Sequence, residues 1–199
     1  MNENILFSIS YGLYVITAEQ YKDNGCVVNT VVQVANNPTR LSVSVSNDNL
    51  TYGMIEETRK FNVNILSKSA PFELFKRFGF QSGRSADKFD GIDFKRSKNG
   101  LAYLPEHSLG YISCDVTSVT DLGSHKLFIA EVTDEAVLAS GEPVTYSYYQ
   151  SNIKPKSNAP KKSGYICKIC GYVYEGGELP PDFICPICKH PASDFEKIQ

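Results

Sequence analysis

This sequence has no surplus of positive charge: 20 lysines and arginines stand against 22 aspartates and glutamates. No basic field argues for nucleic acid or for an anionic membrane surface. It also lacks an uncharged apolar run near the twenty residues that a membrane-spanning helix needs, and residues 1–14 lack a basic leader followed by a sustained apolar stretch. A soluble, cytoplasmic protein with no nucleic-acid partner and no membrane partner is therefore expected. There is no G-x-G-x-x-G run opening a helix and no P-loop, which sets a Rossmann nucleotide site aside. No convincing catalytic triad, internal repeat or low-complexity tract is present.

What the chain does have is an uneven plan. At 199 residues it can build one well-cored domain plus something small. The stretch SNIKPKSNAPKKSG, residues 151–164, carries Lys, Ser, Asn and Pro around one large aliphatic side chain, Ile153, which is linker chemistry. The expected division is a main domain at 1–152, a flexible linker at 153–163 and a tail at 164–199. A tail that short needs a metal, disulfides or a partner to fold. Six cysteines are present, four of them in the last 33 residues. In a chain with no export signal they read more readily as thiolate ligands than as disulfides, because the cytosol keeps thiols reduced.

The long segment reads as mostly β with minor helix. Leu41, Val43 and Val45 alternate with Ser42, Ser44 and Ser46, the period of a strand with one face in a core, and Phe61, Val63 and Ile65 repeat it. Further β-branched runs cover 13–17, 26–34, 111–119 and 127–132, so a barrel or sandwich is expected. Helices are expected near 52–60 and 71–78, the second opened by Pro71 and stopped by Gly79. Cys26 and Cys114 lie within strand patterns and read as buried, inert thiols. His107 and His190 have no constellation around them.

The tail carries Cys167-x-x-Cys170 and Cys185-x-x-Cys188 with fourteen residues between them. Two such knuckles bring four thiolates to one point, the way a tetrahedral S₄ site for iron or zinc is assembled. Gly171 and Pro186 fit tight sulfur-centred turns, while Tyr165, Tyr172, Tyr174, Phe183 and Phe195 could form a dry aromatic shell that controls solvent access. Coordination rules alone leave zinc and iron both open. The residues Tyr-x-Cys-x-x-Cys-Gly-Tyr-x-Tyr, Cys-Pro-x-Cys and Asp-Phe-Glu resemble a rubredoxin. That resemblance implies one redox-active iron held by Cys167, Cys170, Cys185 and Cys188. The loop between the knuckles is shorter than in free-standing rubredoxins and closer to the version that ends rubrerythrins.

A one-electron centre fed by a nicotinamide, which gives electrons in pairs, calls for a flavin between them. Two polar patches are candidates: Asn29, Thr30, Gln33, Asn36 and Asn37 in a β run, and Ser46, Asn47, Asn49 and Thr51 just before a helix. Hydroxyls and amides beside a helix N-terminus suit a phosphate. Equally, Asn49 or Thr51 could simply cap the helix, and the first patch could be the wet face of a strand. The segments YGLYVIT, NGCVVNTVVQVANNPTRLSVSVSNDNLTYGMI, FGFQSGRSADKF and GSHKLFIAEV, in that order, resemble the flavin reductase-like family. The resemblance implies a split β-barrel that dimerises and binds FMN, with Asn29, Thr30, Val31 and Gln33 along the isoalloxazine and Ser46, Asn47, Asn49 and Thr51 on the ribityl phosphate. It also makes Arg84 and Lys88 candidates for charge near that phosphate, and His125 a candidate for the nicotinamide pocket. Such a barrel joined to a rubredoxin resembles fused flavo-rubredoxins, which take electrons from NAD(P)H and hand them to a flavodiiron protein that reduces oxygen or nitric oxide. A carrier without its own nicotinamide activity, or a flavin domain with a structural zinc tail, are the alternatives.

Overall fold

The computed structural model of the protein describes residues 5, 8–155, 164–169, 171–186, 188 and 190–198. Cys170 and residues 156–163 of the expected linker lie outside the described residues, as do 1–4, 6 and 7 of the expected main domain. The main domain builds β1 (Tyr14–Glu19), β2 (Asp23–Val28), β3 (Val32–Asn36), β4 (Thr39–Ser46), helix α1 (Leu50–Thr58) and β5 (Lys60–Leu66). Then come α2 (Phe72–Phe75), a π-helical turn over Lys76–Phe80, the short hairpin of β6 (Lys95–Arg96) and β7 (Ala102–Tyr103), and the long pair β8 (Ser108–Asp121) and β9 (His125–Val137). It closes with α3 (Tyr146–Tyr148) and a second π-helical turn over Tyr149–Ile153.

Seven strands form one antiparallel sheet in the order β2-β1-β5-β8-β9-β4-β3. The first and last strands of that order, β2 and β3, are consecutive in the chain and separated only by residues 29–31. The four steps from Val28 to Val32 reach at most about 14 Å, so the sheet has to curl until its two ends come close. The core agrees, because Cys26 and Val28 of β2, Val43 and Val45 of β4, Ile16, Phe61 and Phe128 bury into one cluster that Met54 and Ile55 of α1 cover. A second core on the outside of β1 and β5 joins Val15 and Leu66 to Leu74, Phe75, Phe78, Phe89, Leu104 and Tyr149.

The expected strand over 26–34 is thus two strands with a corner. Thr30 makes the corner by clamping β4, its Oγ1 donating to the Ser44 carbonyl at 2.9 Å and accepting from the Ser44 amide at 3.0 Å. The expected stop at Gly79 also fails: Pro71 is the N-cap of α2, and the helix runs on through Gly79 as the wider turn that ends at Phe80. Ser151 and Asn152 lie in the second π turn, as part of the expected main domain, and Ile153, the first residue of the expected linker, ends that turn and packs on the second core.

The tail forms its own three-stranded sheet, β11-β10-β12, from β10 (Gly164–Cys167), β11 (Val173–Tyr174) and β12 (Phe195–Ile198). Among the described residues, no helix is long and apolar enough to cross a membrane.

Candidate flavin and metal sites

The two cysteine knuckles are built alike. The Cys167 amide donates to the Tyr172 carbonyl and the Cys185 amide to the His190 carbonyl, each at 2.8 Å and each five residues on. In the first knuckle Gly171 adopts φ +79, where a side chain would be strained, and its amide closes on the Cys167 carbonyl at 2.9 Å. The sulfurs of Cys167, Cys185 and Cys188 are buried and lie within 4.8 Å of one another. Cys167 Sγ and Cys188 Sγ are 3.6 Å apart. A disulfide would need about 2.05 Å, whereas thiolates about 2.3 Å from a tetrahedral metal stand about 3.8 Å apart. The donor set therefore fits a thiolate metal site, and Cys170 of the expected four is outside the described residues.

All five expected aromatics pack on these cysteines. Phe183 is the hub, with ring centroids 4.8 Å from Tyr174 and 5.4 Å from Phe195, both edge-on. Two further residues reach the site that the sequence did not single out. Phe80 packs on the module's cysteine core from the main domain. His190, expected to have no role, supplies the knuckle carbonyl and holds its Nδ1 3.1 Å from the Cys188 carbonyl oxygen.

The second polar patch gathers around the start of α1. Ser46 stands opposite His125 in the β4–β9 pairing, and the Asn47 amide donates to the Ser124 carbonyl at 3.0 Å. The Asn47 carboxamide donates to the Gly123 carbonyl at 2.7 Å, leaving its buried Oδ1 without a protein partner. Asn49 is the N-cap of α1 yet makes no side-chain cap, and the first turn carries no acidic residue. The free amides of that turn are thus open to an anion. Arg84 reaches the same place, donating to the Asp48 carbonyl at 2.6 Å. His125 is exposed, with Nδ1 2.9 Å from Ser124 Oγ.

Thr51 and Lys88 sit elsewhere than a phosphate contact requires. Thr51 points inward, accepting from the Asn24 carboxamide at 3.0 Å. Lys88 is 2% exposed and spends its ammonium on the carbonyls of Gly25, at 2.9 Å, and Phe78, at 3.1 Å. Burial pulls its pKa down to about 8. Its position fastens β2 to the first π turn, the two carbonyl bonds offsetting part of the desolvation that lowers its pKa.

In the first patch, Thr30 is committed to the corner, Val31 packs on the barrel core, and Asn29 is half-buried between β2 and the corner. Gln33 is exposed on β3 and donates to Asn36 Oδ1 at 2.7 Å within its own hairpin. The two patches share β4, since Thr30 grips Ser44 two residues from Ser46.

A cavity of about 400 Å³ lies between the two parts of the chain. One wall is Ser46, Asn49 and the Ser82–Ser85 turn, and the other is Ile169, Cys188, His190 and Pro191 of the module. The start of α1 and the metal knuckle therefore open on the same space.

A curled antiparallel barrel with an uncapped helix beside its seam, carrying a thiolate metal module, defines a flavoprotein joined to a rubredoxin-type centre. The chain belongs to the flavin reductase-like family: residues 6–157 match the flavin reductase like domain, and residues 165–196 match the rubrerythrin, rubredoxin-like domain. Across 100% of both chains it is 37% identical to the high molecular weight rubredoxin of Moorella thermoacetica. It is 34% identical to a ferric-chelate reductase (NAD(P)H) of Archaeoglobus fulgidus, over 79% of this chain and 94% of that one. Among solved structures, flavin reductase PheA2 in its native state matches with a TM-score of 0.61 at 28% identity, over 73% of this chain and 93% of that one. The two domains imply a flavin and one iron with cysteine ligands.

Proposed function

We propose that the protein is an oxidoreductase that takes electrons from NAD(P)H into FMN and passes them, one at a time, through a mononuclear iron to an outside acceptor. The observation that carries this reading is the shared cavity, with the α1 start on one side and Cys188 on the other. When bound, the flavin would supply the exchange between a two-electron hydride donor and a one-electron metal.

The chain's own residues bind and orient. Ser46, Asn47 and Asn49, with the open α1 amides and Arg84, hold the phosphate end; Asn29, Thr30, Val31 and Gln33 border the ring along the barrel seam. His125, opposite Ser46 and exposed, faces an incoming nicotinamide. Cys167, Cys170, Cys185 and Cys188 hold the iron within the aromatic shell, which keeps water from the sulfurs. The division into 1–152, 153–163 and 164–199 follows from this reading, with Ile153 moved to the main domain by its packing. A homodimer is supported by β3, an edge strand that leaves Val32 57% and Val34 51% exposed. The acceptor fits a redox protein such as a flavodiiron oxygen or nitric oxide reductase. A cytoplasmic site accords with buried, unpaired thiols at Cys26 and Cys114.

The test is an anaerobic visible spectrum with metal analysis on the same sample. Iron near one per chain, a flavin spectrum and thiolate-to-iron bands that bleach on adding NADH or NADPH are expected. Zinc near one per chain in iron-supplied cells would overturn the electron path.

A further inference from the structure

We infer that the main domain carries a built seat for the iron module, formed by Phe80 and met by Ile169, which holds the second knuckle over the α1 cavity. Its use in loading the iron rests on the electron-transfer reading above; the seat itself does not.

Phe78 and Phe80 leave the first π turn in opposite senses. Phe78 is buried in the second core, edge-on to Phe89 at 5.5 Å. Phe80 faces the module instead and packs on the cluster of Cys167, Cys185, Cys188 and Phe195. The turn that presents it is fixed from behind by Lys88 on the Phe78 carbonyl, and from the side by Phe72, whose ring lies 6.0 Å from that of Phe80. From the module, Ile169 comes from between the two cysteines of the first knuckle, an exposed tip where a polar side chain would serve a solvated turn. With Gly79 and Phe80, Ile169 lines both the α1 cavity and a second one of about 180 Å³ bounded by Val27, Phe75 and Tyr149. The apolar pair thus lies between two cavities, with Cys188, His190 and Pro191 lining the one that opens on α1.

The seat is small, and Ile169 keeps 39% of its surface exposed even when docked. Contacts of this size hold transient complexes rather than permanent ones. A weak seat on a tethered module gives a high local concentration with easy release, which suits a carrier that loads at one place and discharges at another.

The experiment uses the full chain with zinc in the module, which is diamagnetic and keeps the module folded. Relaxation of module amides by NMR reports whether the module tumbles with the barrel. The wild-type module is expected to share the barrel's correlation time, Phe80→Asp to shorten it at least two-fold, and Phe80→Leu to restore it. Ile169→Asp, a change at an exposed position of the other partner, is expected to act like Phe80→Asp. Module tumbling unchanged in both Asp variants, with barrel amides still dispersed, overturns the seat. In the iron-loaded protein, stopped-flow is expected to show iron reduction slowed more than ten-fold relative to flavin reduction in Phe80→Asp. Should the wild-type iron stay oxidised while its module tumbles with the barrel, the electron path fails and the seat stands.

Discussion

Lys88 is the residue whose placement departs furthest from its expected role, and its burial makes a pH prediction. Its folded pKa is lowered from 10.5 to about 8, chiefly by desolvation. Between those values the unfolded chain binds the extra proton, so stability attributable to Lys88 rises with pH across that window and its cost is fully present below it. The gap corresponds to roughly 3 kcal/mol. Comparing urea unfolding of wild type and Lys88→Met from pH 7.5 to 10.5 should show the wild type gaining on the variant as pH rises. At every pH the variant also loses the Lys88 bonds to the Gly25 and Phe78 carbonyls, at about 1 kcal/mol each. Thiols at this scale are quiet: burial pushes Cys114 up to about 12 and raises Cys26 as well. Ellman's reagent should therefore find no reactive thiol in the native, metal-loaded protein, and all six cysteines after denaturation with a chelator.

At the scale of elements, α1 decides between a capped helix and a ligand site. An Asn that caps contributes about 1 kcal/mol, but Asn49 makes no cap. Asn49→Ala should accordingly leave the thermal stability of flavin-free protein nearly unchanged while weakening FMN binding about ten-fold by fluorescence titration. Thr51→Val should do the reverse, since Thr51 bonds inward to Asn24. Strands were legible where one face is apolar: β4 shows every Leu and Val of its alternation buried. The corner at 29–31 was not, because valines recur on both sides of it from residue 27 to 34, with Thr30 between them, and the bonds between Thr30 and Ser44 that break the run come from a partner distant in sequence. In β5 the polar alternates Asn62 and Asn64 are also buried, satisfied by the Leu101, Ala102 and Val15 carbonyls, a second covered face that a period of two does not reveal.

At the scale of the molecule, the two parts should come apart on metal removal. The module's buried cluster consists largely of its own ligands and one phenylalanine, so stripping the metal should unfold residues 164–198 while the barrel keeps its cooperative transition, as calorimetry and NMR would show. The ligands were readable from spacing because a knuckle is local in sequence. Phe80 was not, because its partner cysteines, Cys167, Cys185 and Cys188, lie 87 to 108 positions away and a phenylalanine after Gly79 carries no motif. Its reach depends on the π turn at Lys76–Phe80, and such turns hold one residue more than an α-turn would. Deleting Gly79 would swing Phe80 by roughly 100° around the helix. A single inherited codon, gained or lost, is therefore enough to give this barrel its passenger's berth or to take it away.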